Sequence, residues 1–313
     1  MNITETPTRD KTIITCDAST YNMIEACYKK AEYSSIRNLE PREYAEPLET
    51  GGLYHDLLEA YYRALRLKYA KHPKYERMER LEIIDKCLEL GRIKAGSYHL
   101  DIELENYIYS NFNEYCLYYA NDPQIPLAVE LYFSKKMFEN EELIILWEGK
   151  IDLFSYNPLN RIEQITDHKT TSRSWTPIPL DNQFYGYCYA LDCQNVIRNE
   201  IGMQSSYGPD KRYKRQTMTY PQACIDEWVN NTIYNLLDYY EHVKMGVFPR
   251  KFVSCKFCGF KEACKATPDA REWVEKRELK EKLQAWSPVN KATSQDIDPF
   301  EVLERLTPDD LHA

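Results

Sequence analysis

Asp167 and Lys169, in the stretch ITDHKTT from Ile165 to Thr171, put a carboxylate and an ammonium two positions apart. Alternate side chains of a strand face one way, so the pair projects together while His168 points away. In the preceding run, GKIDLF places Lys150 and Asp152 on one face and Ile151 and Leu153 on the other. If the two runs form a hairpin through the turn NPLN, Asp152 and Asp167 converge. Two converging carboxylates repel each other unless a cation joins them, and hard oxygen donors favour magnesium or manganese. A metal held in this way polarises a phosphoryl oxygen and lowers the pKa of its bound water. A lysine beside it orients that water and offsets developing negative charge. Taken alone, D-x-K is a common tripeptide of solvated strands, so the surrounding chain must decide.

The elements that would position these groups follow from periodicity. Residues 1–50 read as irregular apart from a short helix around TYNMIEACYKKAEY. From Gly51, GGLYHDLLEAYYRALRLKYA repeats Leu53, Leu57, Tyr61 and Leu65 at a spacing of four, the mark of a helix. A second helix is expected from Glu76 to Leu90, carrying Leu81, Ile84 and Leu88 on its apolar stripe and ending at Gly91 as a C-cap. Tyrosine-rich helical text then runs to about Ala120 and is broken by NDPQIP. Three strands follow, LAVELYFSKKMF, LIILWEGKIDLFSY and RIEQITDHKTT. A helix from about Leu180 to Cys193, a strand pair within 194–220 and a helix from Pro221 to Gly246 complete the core. The order implies an α/β layer fold with a helical insertion near its start. Five segments result: 1–50, a helical region 51–125, a core 126–250, a cysteine-rich segment 251–284 and a flexible tail 285–313.

Composition narrows the function. The 313 residues are 43% hydrophobic and 28% charged, as in an ordinary globular protein. No apolar run approaches the roughly 20 residues of a membrane span, and the first residues lack the layout of a secretory signal, so a cytoplasmic protein is expected. A net charge of −9 is awkward for a polyanion partner unless a local basic groove or a bound metal compensates. Of the ten cysteines, Cys87, Cys116, Cys188, Cys193 and Cys224 sit among apolar neighbours and read as small hydrophobes. Cys255, Cys258 and Cys264 in CKFCGFKEAC do not: three thiols so close together, amid lysines, point to zinc or an iron-sulfur cluster, either of which needs a fourth ligand. GPDKRYKRQ gathers Lys211, Arg212, Lys214 and Arg215 around Tyr213, which could track a phosphate backbone or form a solvated hairpin tip.

Over most of residues 20–265 the chain resembles the PD-(D/E)XK nucleases, and within them the RecB-like branch that includes AddB-type and CRISPR-associated nucleases. Four ordered motifs carry the likeness: Gly51 and His55 match G-x-x-x-H, Gly149 and Asp152 match G-x-x-D, Asp167 and Lys169 match D/E-x-K, and Gln183 and Tyr187 match Q-x-x-x-Y. The resemblance implies a restriction-endonuclease-like core, a mixed sheet flanked by helices. It also implies a magnesium or manganese site made by His55, Asp152, Asp167 and the backbone carbonyl of His168. Lys169 would assist the attacking water, and Gln183 and Tyr187 would contact a nucleotide. The iron-sulfur members of the branch take their fourth thiolate from a distant upstream cysteine. Cys27 fits that place best, with Cys16 in reserve, and a 4Fe-4S cluster there would staple the N-terminal segment to the C-terminal one. Zinc is the alternative.

The function so implied is metal-dependent hydrolysis of DNA, as an exonuclease on single-stranded or frayed ends in recombination, repair or end processing. A non-cutting DNA-binding or scaffolding subunit of a recombination or spacer-acquisition complex is the alternative, although such a subunit has no need of Lys169. The chain has no G-x-x-x-x-G-K-[ST] motif, so any unwinding would come from a helicase partner.

Overall fold

The computed structural model describes residues 2–5, 11–42, 46–171, 181–256, 258–282 and 297–305. The chain opens with β1 (Asn2–Glu5), β2 (Thr12–Cys16), α1 (Ala18–Ala26), α2 (Tyr28–Ala31) and β3 (Leu39–Pro41). Three helices follow, α3 (Glu46–Tyr69), α4 (Arg80–Ala95) and α5 (Ile102–Tyr118). The core is β4 (Ile125–Glu139), β5 (Leu143–Asn157), β6 (Ile162–Thr171), α6 (Asn182–Leu191), β7 (Asn195–Gly202), α7 (Pro209–Arg212), β8 (Tyr213–Thr219) and α8 (Gln222–Met245). The last elements are α9 (Lys261–Lys265), α10 (Pro268–Glu278), β9 (Leu279–Glu281) and α11 (Glu301–Arg305).

Seven strands form one mixed sheet in the order β1-β2-β5-β6-β7-β8, with β4 along the other edge of β5. The central strand β5 is therefore flanked by three strands. β4 pairs with nearly its whole length, whereas the opposite edge is shared: β2 takes Leu143–Trp147 in parallel, and β6 takes Leu153–Asn157 antiparallel. The α/β layer architecture agrees with the sequence pattern. The two N-terminal strands were not expected, since residues 1–50 read as irregular. The run TIITC has the β-branched composition of a strand, but its partner lies more than a hundred residues away.

Apolar packing lies on both faces of the sheet. On one, Leu53, Leu57, Tyr61 and Leu65 of α3 pack with Ile83, Ile84 and Cys87 of α4 and Phe112 of α5 against Val129 and Leu153. On the other, Trp147 and Ile151 meet Tyr21 of α1, Phe184 of α6 and Leu236 of α8. The expected shared face of Ile151 and Leu153 is therefore not observed. Val129 and Leu131 on β4 divide in the same way, and between them Glu130 has a left-handed backbone, φ 52°. That reversal changes which face successive residues occupy, at the level of Asp152.

Helix α4 also departs from expectation. It runs through Gly91 to Ala95, and Leu81 is 61% exposed. Gly91 is there for proximity: a Cβ at that position would lie 2.6 Å from Leu57 Cδ2. Within the expected flexible tail, Ile297–Arg305 is described, and Phe300 is buried against Tyr75 while Lys74 and Tyr75 bind the carboxylate of Asp298.

Candidate active site at a fork in the sheet

The ladder between β5 and β6 ends at the pair Leu153 and Thr166, after which β6 stays with β7 through Thr171. Asp152 and Asp167 are the next residues on their strands, so they face each other across the opening of a fork. There the N–H of His168 has lost its ladder partner, and it donates to Asp152 Oδ2 at 2.7 Å. Because the N–H and C=O of one strand residue point to the same edge, the His168 carbonyl faces the fork as well. Asp167 Oδ1 accepts from Lys169 Nζ at 3.1 Å and from Gln183 Nε2 at 3.0 Å. Its Oδ2 is buried with no hydrogen-bond partner.

Two helices close the fork. From α6, Gln183 also accepts from Lys169 Nζ at 3.1 Å and donates to the Tyr187 hydroxyl at 2.7 Å; that hydroxyl donates to Lys150 O at 2.8 Å. Both residues thus brace Asp167, Lys169 and β5, and Tyr187, expected to contact a nucleotide, is 6% exposed. From α3, His55 Nδ1 lies 3.8 Å from Asp152 Oδ2. The helix can approach because Gly51 has no side chain: a Cβ there would meet Thr170 Oγ1 at 3.1 Å.

The His168 side chain points away from the fork, as the alternation requires. Arg215 Nε donates to Asn199 Oδ1, which turns the Asn199 amide nitrogen toward His168 Nδ1 at 2.7 Å, and Tyr62 stacks on the ring. With Nδ1 accepting, the neutral ring carries its proton on Nε2. Burial pushes this imidazole down to about 3, so it stays uncharged.

Glu130 is the site residue that the sequence motifs do not include. His55, Glu130 and Asp152 each bring a ligand atom within 4.8 Å of the others, the one such trio among the described residues. The available signal was an acid inside the apolar run LAVELYF. Glu130 is 6% exposed and is paired with Lys150, whose expected companion was Asp152.

Electrostatics separate the carboxyls. Burial pushes Asp152 upward, but His55, Lys169 and the His168 backbone N–H together outweigh it and hold the carboxyl below the usual range. Burial and the charge of Asp152 raise Asp167 to about 6 against the pull of Lys169. Burial, with Asp152 adding to it, raises Glu130 to about 7. Lys169 loses charge stability by burial and regains more from Asp167 and Asp152, so its ammonium is reinforced. Crowded acids of this kind fit a hard cation, which would relieve their repulsion and use the orphaned Asp167 oxygen.

Residues 17–265 match the PD-(D/E)XK nuclease superfamily. The chain belongs to that superfamily. Two solved structures are similar to this PD-(D/E)XK nuclease. A Eubacterium rectale protein provisionally named an exonuclease is 12% identical, with 80% of this chain and 88% of that one covered and a TM-score of 0.47. The alkaline exonuclease of Laribacter hongkongensis is also 12% identical, with 58% and 89% covered and a TM-score of 0.31. Among curated proteins none matches the chain.

The remaining expected site residues divide. Cys27, Cys255, Cys258 and Cys264 line one cavity of about 280 Å³, ringed by Lys30, Arg250, Lys251, Lys261 and Lys265. Cys27 sits between α1 and α2, and its sulfur accepts from the N–H of Lys251 at 3.4 Å. Cys16 is buried on β2 in the main core and does not line this cavity. The basic stretch is not an open tip. Arg212 pairs with Glu114, the Tyr213 hydroxyl donates to Asn111 O at 2.8 Å, and Arg215 binds Asp122 and the Tyr62 and Tyr115 hydroxyls. Arg212 and Arg215 answer acids and hydroxyls of α3 and α5 and the turn at Asp122, and Lys211 is the exposed one of the four cations. No helix is long and apolar enough to cross a membrane among the described residues.

Proposed function

We propose that this chain is a divalent-metal-dependent DNA exonuclease of the RecB-like branch, acting on single-stranded or frayed ends. His55, Glu130, Asp152, Asp167 and the His168 carbonyl are the groups that would hold magnesium or manganese. When bound, such an ion supplies a Lewis acid and acidifies a water. The protein's own groups do the rest. Lys169, fixed by Asp167 and Gln183, orients the attacking water and neutralises charge that develops on the phosphate. Gln183 and Tyr187 keep that lysine and β5 in register, and the stacked, uncharged His168 holds its own N–H on Asp152. The observation that carries the reading is the fork: two acids past the last rung of a ladder, one with a buried unpaired oxygen, and a lysine on the second. The choice of DNA ends rests on the motif resemblance.

Purified protein with magnesium or manganese should shorten end-labelled DNA. Lys169→Ala should lower the rate by about 10²–10³-fold, the usual cost of removing one donor aimed at developing charge. Intact DNA, or a variant as fast as the native protein, overturns the reading.

We also propose that Cys27, Cys255, Cys258 and Cys264 hold a structural iron-sulfur cluster. The four thiols line one cavity, and the choice of a cluster over zinc rests on the motif resemblance. The cationic rim suits bound thiolates. A brown protein with visible absorption and several irons per chain is expected; a colourless one with a single zinc refutes it.

A further inference from the structure

Lys150 has no part in the reaction just described, yet it is the second cation of the fork. It neighbours Gly149, over which the Phe133 ring of β4 lies: a Cβ there would stand 2.6 Å from that ring. Its ammonium pairs with Glu130, a member of the trio with His55 and Asp152. The two partners differ in exposure: the Glu130 side chain is 8% exposed and that of Lys150 35%. Lys169, by contrast, is held on two sides, by Asp167 and by Gln183.

Three carboxylates, Glu130, Asp152 and Asp167, face two ammoniums, Lys150 and Lys169, which leaves one negative charge in the fork. One divalent ion reverses the sign. It also takes up the charge of Glu130, the ion-pair partner of Lys150, and a lysine on a flexible stem with a third of its surface in solvent can then turn outward. We propose that Lys150 is a phosphate-binding residue for the nucleic-acid strand, masked by Glu130 in the metal-free protein and released when the metal engages that carboxylate. Metal loading and strand binding are then coupled through this side chain. An acidic protein gains a cation for the backbone only when it is equipped to act. The inference rests on the metal-dependent DNA reading above.

The test is the salt dependence of binding to a short single-stranded oligonucleotide with phosphorothioate linkages, with manganese and with chelator. Manganese binding is followed separately by calorimetry. Each phosphate contact to a single strand contributes about 0.7 to the slope of log affinity against log salt. In manganese, Lys150→Met should lower the slope by about 0.7 and Lys150→Arg should leave it unchanged. In chelator, all three proteins should share one slope, and Glu130→Gln should steepen it by about 0.7. An equal effect of Lys150→Met with and without manganese, or none with it, overturns the masking while leaving the nuclease reading intact. If the native protein binds neither manganese nor DNA, the nuclease reading fails and this inference with it.

Discussion

Asp152 and Asp167 occupy matching places on adjacent strands and are unequal. The first carries the His168 N–H and lies near His55 and Lys169; the second has one oxygen with no partner and is raised to about 6. Glu130, raised to about 7, shares that strain. Folded values above the ordinary carboxylate range mean that the metal-free protein binds protons which the unfolded chain has released. The stability from these two groups is complete below the ordinary carboxylate pKa and is lost as pH rises through about 6 and about 7. In chelator, the thermal midpoint should therefore fall across that window. Glu130→Gln should flatten the fall, and manganese should restore the midpoint at the upper end. Calorimetry of both proteins against pH checks this. At this scale the sequence was legible where spacing carried information: Asp167 and Lys169 share a face as alternation placed them, and Asp152 meets Asp167 across the hairpin although Ile151 and Leu153 do not share a face. Glu130 was not, because a single acid in an apolar run makes no pattern, and its place depends on a left-handed residue that composition does not announce.

Among the elements, two glycines mark close approaches of helices to the sheet. Gly51 lets α3 reach Thr170, and Gly186 lets α6 lie on Trp147, whose Nε1 would stand 2.3 Å from a Cβ on that glycine. Gly186→Ala should therefore push α6 off β5, costing about 1–3 kcal/mol by overpacking. It should also displace Gln183 from Lys169, so denaturant midpoint and cleavage rate fall together. A loss of stability with an unchanged rate would show that α6 does not set the lysine. The helices were legible from their fourfold spacing and the three long strands from alternation. Gly91 misled because a glycine near a helix end looks the same whether it caps the helix or admits Leu57. β2 was hidden because a five-residue run becomes a strand only beside β5, a contact that local pattern does not encode.

At the scale of the molecule, the N-terminal stretch 33–41 and the segment 260–281 meet before any cluster is considered. Tyr33 stacks on Phe260, Arg37 and the Tyr33 hydroxyl bind Glu275, and β3 pairs with β9. A cluster on Cys27 and the C-terminal cysteines would reinforce a seam that already exists, much as a crosslink closing a long loop contributes about 2–5 kcal/mol. Cys258→Ser should accordingly lower the thermal midpoint and abolish the colour, while residual cleavage persists below the new midpoint, since the cavity lies apart from the fork residues. The pairing of distant cysteines came from the motif resemblance, and nothing in their spacing could have chosen Cys27 over Cys16. The divided edge of β5 carries one more implication, for handling the protein. β2 occupies the rungs at Leu143–Trp147, so deletion through Cys16 would bare a row of amides and carbonyls flanked by Leu143, Ile145 and Trp147. An exposed apolar border of that kind recruits other chains. A shortened version should elute from a sizing column as soluble aggregate, whereas the chain that keeps β1 and β2 should not.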